Sequence, residues 1–351
     1  MRRTAWTHLK AAAALLAAGL AAAQTPPPPA AAAASAPPLG APAVWVPPET
    51  PQGSGAWPAV MEQHAALPHH TLYRPQRLDL LGDAKLPLLV WANGACVNVG
   101  NRFRPFLSEI ASHGYLVLAL GPIGPREVEV MSSGSAYRGQ PAPGSPAARA
   151  AAEGRLPAPG TTRTPPPETS PQQMIDAIDW ALAEHQRSGS PLAGRIDTAA
   201  IAVMGQSCGG IQAIAAARDR RVKTLGVWNS GLFSDDTRPL AIAGADVTKA
   251  VLPTLHTPAI YVTGEPSEVA FRNADDDVDR IERVPVFRAW LEGTGHSGTY
   301  REPLGGAYAP VAVAWLNWQL KGDARAAAHF RGADCYLCRN PRWHVRKKRI
   351  D

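Results

Sequence analysis

Cysteine is scarce in this chain of 351 residues, which has four cysteines. A single cysteine pair, Cys335 and Cys338, has Cys-x-x-Cys spacing, and a zinc site of paired ligands would need a second pair. A nucleic-acid-binding protein would carry basic residues interleaved with stacking aromatics across one face. Here the clustered basic residues lie near the end of the chain, at 339–349. These absences argue against a zinc domain and against nucleic-acid binding.

Long apolar runs are missing after residue 23, so we expect no membrane span in the rest of the chain. Residues 1–23 combine a basic start, a short alanine-rich apolar run and small residues at the end. This order is typical of a secretory signal peptide. We therefore expect export, to the periplasm or the medium. Residues 24–60 are rich in Pro and Ala and have too few large apolar side chains to offset the entropy of ordering, which predicts a flexible segment.

Residues 61–325 are enough to bury one large core, and we expect a single domain there. Continuous apolar runs bounded by Gly, Pro or Asn are typical of buried parallel strands. Such runs occur at 86–91, 115–120, 200–204, 224–228, 259–262 and 284–287. Helical patterns between and after them occur at 103–113, 172–185, 210–217 and 311–320. The alternation predicts an α/β fold with a mostly parallel sheet and helices on both faces.

Two stretches fall outside this alternation. Residues 131–170 are rich in Gly, Pro, Ser and Thr, and a loop of this length is usually functional or disordered. We interpret it as an irregular insertion over the active-site side. Residues 326–351 form a C-terminal extension with the Cys-x-x-Cys pair and a basic tail, which we expect to be solvated. In an exported chain, a local disulfide between Cys335 and Cys338 is the favoured use of that pair.

A Gly-x-Ser-x-Gly motif occupies residues 205–209, between a predicted strand and a predicted helix. In a nucleophile elbow the serine lies in a strained turn that accepts only small neighbours, which Gly205 and Gly209 provide. The helix N-terminus that follows favours developing negative charge. This context predicts Ser207 as a nucleophile rather than as an ordinary serine in a glycine-rich turn.

A serine hydroxyl needs a base, and His296 lies in a glycine-rich loop directly after the last predicted strand. A loop position lets the imidazole reach across the sheet edge to Ser207. Of the ten histidines, His296 is the one that combines this element with the right order along the chain. We therefore predict that it is the general base, the alternative being a solvent-exposed loop histidine.

The third member of such a triad is a carboxylate after the preceding strand. Glu268 has the favoured position, where the chain can turn back towards the histidine. Glu265 comes early and precedes a proline. Three further candidates, Asp275, Asp276 and Asp277, form a run of acids of the kind usually found on solvated surface. Position alone favours Glu268 and leaves the others open.

Two backbone N–H groups should stabilise the tetrahedral intermediate. One is expected at Cys208, directly after the nucleophile, and the other at Ala95 or Cys96, in the turn after an early strand. This arrangement would bring the Cys96 and Cys208 side chains close together. They would then form a disulfide or remain two buried thiols.

Three stretches of the sequence resemble a known family. They are Val-Trp-Ala-Asn-Gly-Ala-Cys at 90–96, Ile-Ala-Ser-His-Gly-Tyr at 110–115 and Gly-Gln-Ser-Cys-Gly-Gly at 205–210. They resemble the α/β-hydrolase family over residues 67–320, in a branch of exported esterase-like proteins related to the dienelactone hydrolase and polyester hydrolase types. The resemblance implies an eight-stranded sheet, no metal and acyl transfer through an acyl-enzyme. Similar proteins often carry aspartate where Glu268 stands. Their C-terminal segments also resemble residues 335–343, and the resemblance implies that this segment is a terminal clasp.

The sequence thus predicts a serine hydrolase that cleaves a small-molecule or polymer ester and needs no cofactor. An amidase or peptidase using the same three residues is the alternative within enzymes. The alternative that is not an enzyme is a binding protein that kept the fold without catalysis, because a fold does not guarantee activity.

Overall fold

The computed structural model describes residue 1 and residues 47–130, 138–156, 165–236 and 238–351. Apart from residue 1, the predicted signal peptide lies outside these ranges, as do residues 24–46 of the Pro/Ala-rich segment. Residues 131–137 and 157–164 of the predicted insertion also lie outside them. Within the described ranges, no helix combines the length and apolar character that a membrane span requires.

A single mixed sheet organises the described residues. Its strands are β1 (Ala59–His64), β2 (Leu67–Pro75), β3 (Leu86–Ala92), β4 (Leu116–Leu120), β5 (Ile196–Gln206), β6 (Val222–Trp228), β7 (Ala259–Thr263), β8 (Val286–Leu291) and β9 (Trp343–Lys348). In the described part of the chain, these nine strands lie in the order β1-β2-β4-β3-β5-β6-β7-β8-β9. Neighbours from β4 to β8 are parallel, whereas the pairs β1–β2, β2–β4 and β8–β9 are antiparallel. The expected number of eight strands is therefore wrong, because antiparallel strands extend both edges.

Helices cover both faces of the sheet, as predicted. They are α1 (Arg104–Ser112), α2 (Glu127–Val130), α3 (Pro146–Ala152), α4 (Pro171–Gln186), α5 (Cys208–Ala216), α6 (Arg238–Ala243), α7 (Phe271–Arg280), α8 (Tyr308–Lys321) and α9 (Ala324–Ala327). Short 3-10 helices occur at Leu78–Leu81, Gly94–Cys96, Lys249–Thr254, Pro303–Gly305 and Leu337–Arg339.

Two apolar cores follow from the alternation of side chains along buried strands. In β3, Leu88 and Val90 belong to the core on one face, whereas Leu89 and Trp91 belong to the core on the other. Helices α4 and α5 pack into the first core, and α1 and α8 pack into the second. Because both faces are covered, every residue of β3 is buried, which is why this strand reads as a continuous apolar run.

The folded part begins earlier than the boundary predicted at residue 61. The carbonyl oxygen of Pro47 accepts a hydrogen bond from Arg104 Nη2 at 2.6 Å. Ser54 donates to the carboxylate of Glu109 through its backbone N–H at 2.7 Å and through Oγ at 2.5 Å. Polar contacts with α1 therefore order residues from 47 onward, although their composition has few large apolar side chains.

The predicted C-terminal extension is partly a strand of the sheet. Strand β9 pairs with β8 along its whole length, and Trp343 is 7% exposed in the second core. Arg346 Nη1 lies 2.7 Å from Asp279 Oδ1, so the basic tail is not simply solvated. Just before β9, Cys335 and Cys338 form a disulfide.

The carboxyl ends of the parallel strands meet at one edge of the sheet. The described part of the insertion lies against the turn that follows β3. Glu168 accepts a hydrogen bond from the Asn98 N–H at 2.9 Å and donates its own N–H to Cys96 O at 3.0 Å. Residues of the predicted insertion thus support a loop at the edge where the candidate site residues lie.

Candidate active site

The turn between β5 and α5 holds Ser207 in a conformation that few residues adopt, with φ 53° and ψ −123°. A Cβ at Gly205 would lie 2.2 Å from the carbonyl oxygen of Gly209. A Cβ at Gly209 would lie 2.1 Å from the carbonyl oxygen of Ala92. Both glycines are therefore required by space, and the turn projects Ser207 at the end of the strand.

Three side chains from separate loops meet at this turn. His296 Nε2 lies 2.9 Å from Ser207 Oγ, and His296 Nδ1 is hydrogen-bonded to Glu268 Oε1. The Glu268 side chain is 0% exposed, and the same carboxylate oxygen accepts the Ala270 N–H at 3.1 Å. A hydroxyl, an imidazole and a buried carboxylate are thus connected in the order that general-base activation of a serine requires.

Glu265, the alternative glutamate, lies away from the imidazole. Its Oε2 accepts the Gly293 N–H at 3.1 Å, and its Oε1 accepts from Ser267 Oγ at 2.8 Å. It therefore supports the loop that precedes the histidine instead of contacting the histidine ring.

The three aspartates on α7 are engaged elsewhere. Asp275 pairs with Arg288 at 2.8 Å. Asp276 and Asp277 each lie 2.7 Å from Lys249 Nζ. The interpretation of this run as solvated surface is wrong for Asp277, which is 0% exposed, because its partner is a buried lysine.

Residues that the sequence did not single out hold the histidine loop in place. Gln206 Nε2 donates to the carbonyl oxygen of His296 at 3.1 Å. Asn229 Nδ2 donates to Gly295 O at 3.3 Å, and its Oδ1 accepts from Tyr300 Oη at 2.5 Å. Asn229 directly follows β6 at the carboxyl edge of the sheet. That position is the feature of the sequence that could have indicated a residue of the site.

A disulfide joins Cys96 to Cys208, with 5.4 Å between their Cα atoms. It connects the turn after β3 to the first residue of α5. All four cysteines lie in the described residues, and none of them is a free thiol there. The Cys96 N–H donates to Asn93 O at 3.2 Å, whereas Ala95, at φ 56°, lines a cavity beside Ser207.

The sequence model of the PET hydrolase-like family, PETase, matches residues 158–342, more than half of the chain. The chain belongs to the PET hydrolase-like family. No curated protein matches the chain.

Membership of the PET hydrolase-like family confirms the predicted α/β-hydrolase fold and the predicted enzyme class, a serine hydrolase of carboxylic esters. The matched range contains Ser207, Glu268 and His296. Ala95 and Cys96, the candidates for the second backbone donor, lie before it. The family match therefore covers the three side chains but not the turn after β3.

Two cavities of this PET hydrolase-like chain open at Ser207 and His296. The apolar cavity, of about 160 Å³, has an apolar lining of Ile211, Phe233, Ile242, Val269 and Ala270, and its polar lining includes Asn229, Ser230 and Asn273. The arginine cavity, of about 230 Å³, is lined by Ala95, Arg102, Phe103, Ser297 and Arg301. A substrate carbonyl at Ser207 would thus have unlike surroundings on its two sides.

The two arginines of the second cavity have lowered pKa values. Burial lowers the pKa of Arg102 to about 10, and the like charge of Arg138 lowers it further, against the opposing effect of Glu168. Burial likewise lowers the pKa of Arg301 to about 9, with the like charge of Arg102 adding to the effect. Both guanidinium groups remain charged at neutral pH. Sequence reasoning missed both residues, because they are far apart along the chain and belong to no motif.

Metal chemistry has no candidate ligand set in the residues that the structure describes. They contain no group of three or more His, Cys, Asp or Glu side chains placed to hold an ion.

Proposed function

We propose that the chain hydrolyses carboxylic esters through an acyl-enzyme, with Ser207 as nucleophile, His296 as general base and Glu268 as the group that holds the imidazole. The observation that supports this most directly is the connected set of contacts from Ser207 Oγ to His296 Nε2, at 2.9 Å, and from His296 Nδ1 to the buried Glu268 carboxylate. With its Nδ1–H donated to Glu268, the neutral imidazole presents the Nε2 lone pair to the hydroxyl.

The reaction then proceeds in two halves. His296 Nε2 takes the Ser207 proton while Oγ bonds to the ester carbonyl carbon, and the imidazolium returns that proton to the departing alcohol. In the second half, His296 deprotonates a water molecule, which attacks the acyl carbon and releases the acid from Ser207. The buried Glu268 carboxylate stabilises the imidazolium formed in both halves.

Two backbone N–H groups stabilise the oxyanion in this proposal, those of Cys208 and Ala95. The first N–H groups of α5 have no partner within the helix, so that of Cys208 is available to an anion. Ala95 is favoured over Cys96 because the Cys96 N–H already donates to Asn93 O and Ala95 lines the cavity beside Ser207. The Cys96–Cys208 disulfide fixes the two donor segments relative to each other.

Export belongs to the same proposal. Disulfides persist in oxidising compartments such as the periplasm and the medium, and all four cysteines of the chain are paired. The signal-peptide pattern of residues 1–23 supports the same localisation.

Active-site labelling tests the assignment of the nucleophile. A fluorophosphonate should form an adduct on Ser207, located by peptide mass spectrometry, and Ser207→Ala should lower the turnover of p-nitrophenyl esters by on the order of 10⁴-fold or more. Ser188→Ala, which changes an exposed serine between α4 and β5, serves as the matched control and should label and turn over as the wild type does. Retained labelling or turnover in Ser207→Ala would refute the proposal. The matching p-nitroanilides measure amidase activity in the same assay.

A further inference from the structure

The arginine cavity contains two positive charges next to the nucleophile that the reaction described above does not use. Arg102 and Arg301 line it together with Ser207 and His296. Both guanidinium groups lie near one ring: the Cζ atoms of Arg102 and Arg301 are 5.6 Å and 4.9 Å from the centre of Phe103. Two like charges therefore line the wall of one cavity.

Neither guanidinium has an acidic partner among the residues that the structure describes. Within the described ranges, Arg102 and Arg301 form no hydrogen bond and no ion pair, and their Nε atoms are buried without a partner. Arg102 is only 5% exposed. Arg288, another buried arginine, shows the usual alternative, because it pairs with Asp275 at 2.8 Å. Burying a charge without a partner is costly, so this pair needs an explanation beyond stability.

The nearby carboxylate of Glu168 does not neutralise the pair. Its Oε2 accepts the N–H groups of Asn98 and Gly139, each at 2.9 Å, and its Oε1 lies 3.8 Å from Arg138 Nη1. Arg138 itself adds positive charge that acts on Arg102. The cavity wall therefore keeps a net positive charge that an anion of suitable size could offset.

We propose that the arginine cavity binds the carboxylate of an ester substrate that carries a second, free carboxyl group, with the apolar part of the substrate in the apolar cavity. This inference rests on the proposed function, because it places that carboxylate relative to the bond cleaved at Ser207. Guanidinium groups bind carboxylates through paired, charge-assisted hydrogen bonds, and a second positive group beside the first increases the attraction. Arg102 lies outside the range matched by the family, whereas Arg301 lies inside it.

Matched ester pairs test the proposal. The first pair places the carboxylate on the acyl side and consists of p-nitrophenyl hydrogen adipate and p-nitrophenyl methyl adipate. The second pair places it on the alcohol side and consists of 4-acetoxybenzoate and methyl 4-acetoxybenzoate. We expect kcat/KM for the free acid to exceed that for its methyl ester by about tenfold or more in at least one pair. The pair that shows the preference identifies the side of the scissile bond on which the arginine cavity lies.

Variants tie the preference to the two arginines. Arg301→Gln and Arg102→Gln should each lower the acid-to-ester ratio by about tenfold, and Arg301→Lys should keep part of it. Arg220→Gln removes one exposed arginine away from the site and should leave the ratio unchanged. Because Arg102 is buried, circular dichroism and Tm must show that each variant is folded, and Arg301→Gln carries the test should Arg102→Gln not fold.

The possible failures can be told apart. A wild-type enzyme that cleaves the methyl esters but shows a ratio near one or below in both pairs would overturn the carboxylate site and leave the proposed function standing. An unchanged ratio in the arginine variants would do the same. An enzyme that cleaves no ester of either pair would count against the proposed function. Calorimetric titration of Ser207→Ala with monomethyl adipate and with 4-hydroxybenzoate would then test the carboxylate site by itself. Binding to Ser207→Ala that is lost in the double variant Ser207→Ala/Arg301→Gln supports the site. Absence of binding to Ser207→Ala overturns it.

Discussion

Glu268 is the residue whose role in the site follows most directly from burial. Its side chain has no solvent exposure and is bonded to His296 Nδ1, so an imidazolium formed during turnover would be stabilised by a charge that water does not screen. Glu268→Gln should lower kcat by on the order of 10⁴-fold, because an amide neither carries the charge nor enforces the productive tautomer. Steady-state kinetics on a p-nitrophenyl ester measures the effect.

Glu265→Gln is the matched control for this prediction. Glu265 follows the same strand, but its carboxylate bonds the loop at Gly293 and not the imidazole. We expect its kcat to stay within a few-fold of the wild type. Similar losses in the two variants would mean that the loops collapse as a unit and that Glu268 has no separate role.

The sequence alone could not decide which acidic residue contacts His296. Chain order placed the acid after β7 and favoured Glu268, but seven carboxylates lie between β7 and β8. The partner of each buried carboxylate separates the candidates. Asp277 is buried against Lys249, whereas Glu268 is buried against His296. These are properties of the folded chain, and spacing does not encode them.

His70 makes the stability of the fold dependent on pH. It is 2% exposed on β2, its Nε2–H donates to Gln173 O at 3.0 Å, and burial lowers the pKa of His70 from 6.5 to about 4. Between these pH values the unfolded chain binds a proton that the folded chain excludes. The free energy of unfolding should therefore fall as pH decreases from 6.5 to about 4, by about 3 kcal/mol for this histidine.

Urea denaturation at several pH values in this range measures that slope. His70→Gln keeps a donor for Gln173 O but does not titrate, so its stability should fall less steeply towards pH 4. His69→Gln, at the adjacent and less buried position, should keep the wild-type slope. Equal slopes in the wild type and His70→Gln would show that His70 becomes protonated in the folded state as readily as in the unfolded chain.

The Cys96–Cys208 disulfide connects the turn after β3 to the start of α5. It closes a loop with a sequence separation of 112, which limits the freedom of the unfolded chain far more than a short loop would. The double variant Cys96→Ala/Cys208→Ala should lose about 4 kcal/mol of stability. Its kcat should fall about tenfold or more, because the two proposed oxyanion donors would no longer be held at a fixed distance.

The second disulfide provides the comparison. Cys335 and Cys338 are three residues apart, so Cys335→Ala/Cys338→Ala should cost only about 2 kcal/mol and leave kcat nearly unchanged. Denaturant titrations and ester kinetics on both double variants separate the two roles. Equal losses of kcat would show that the first disulfide acts through global stability and not on the oxyanion donors.

The elements that the sequence predicted and those that it missed differ in burial. Strands β3 to β8 are covered on both faces and read as apolar runs, which the pattern detects. Strands β1, β2 and β9 are antiparallel and lie towards the edges of the sheet, and their polar residues interrupt any run. In β9, Trp343 is buried, whereas His344 is exposed. A single buried aromatic in a basic tail is too weak a pattern to indicate a strand.

The last strand, β9, lies beside the strand that leads to the histidine loop. Strand β9 pairs with β8 (Val286–Leu291), and His296 follows β8 by a few residues. Trp343 adds a buried contact to Tyr308, with 5.9 Å between ring centres, and His344 stacks on Trp290 at 3.7 Å. The end of the chain therefore stabilises an element of the site at a distance.

Truncation after Arg339 tests this dependence. Removing residues 340–351 takes away one whole strand, exposes the backbone of β8 and leaves a cavity where Trp343 packs. We expect a loss of about 3 kcal/mol or more in the free energy of unfolding, aggregation through the open edge and a lower kcat from a loosened histidine loop. The double variant Arg339→Gln/Arg342→Gln, which removes two exposed charges but keeps the strand, should match the wild type in Tm and kcat. If truncation and charge removal had the same small effect, the basic tail would be a solvated end after all, and the position of His296 would depend on the loops of the carboxyl edge alone.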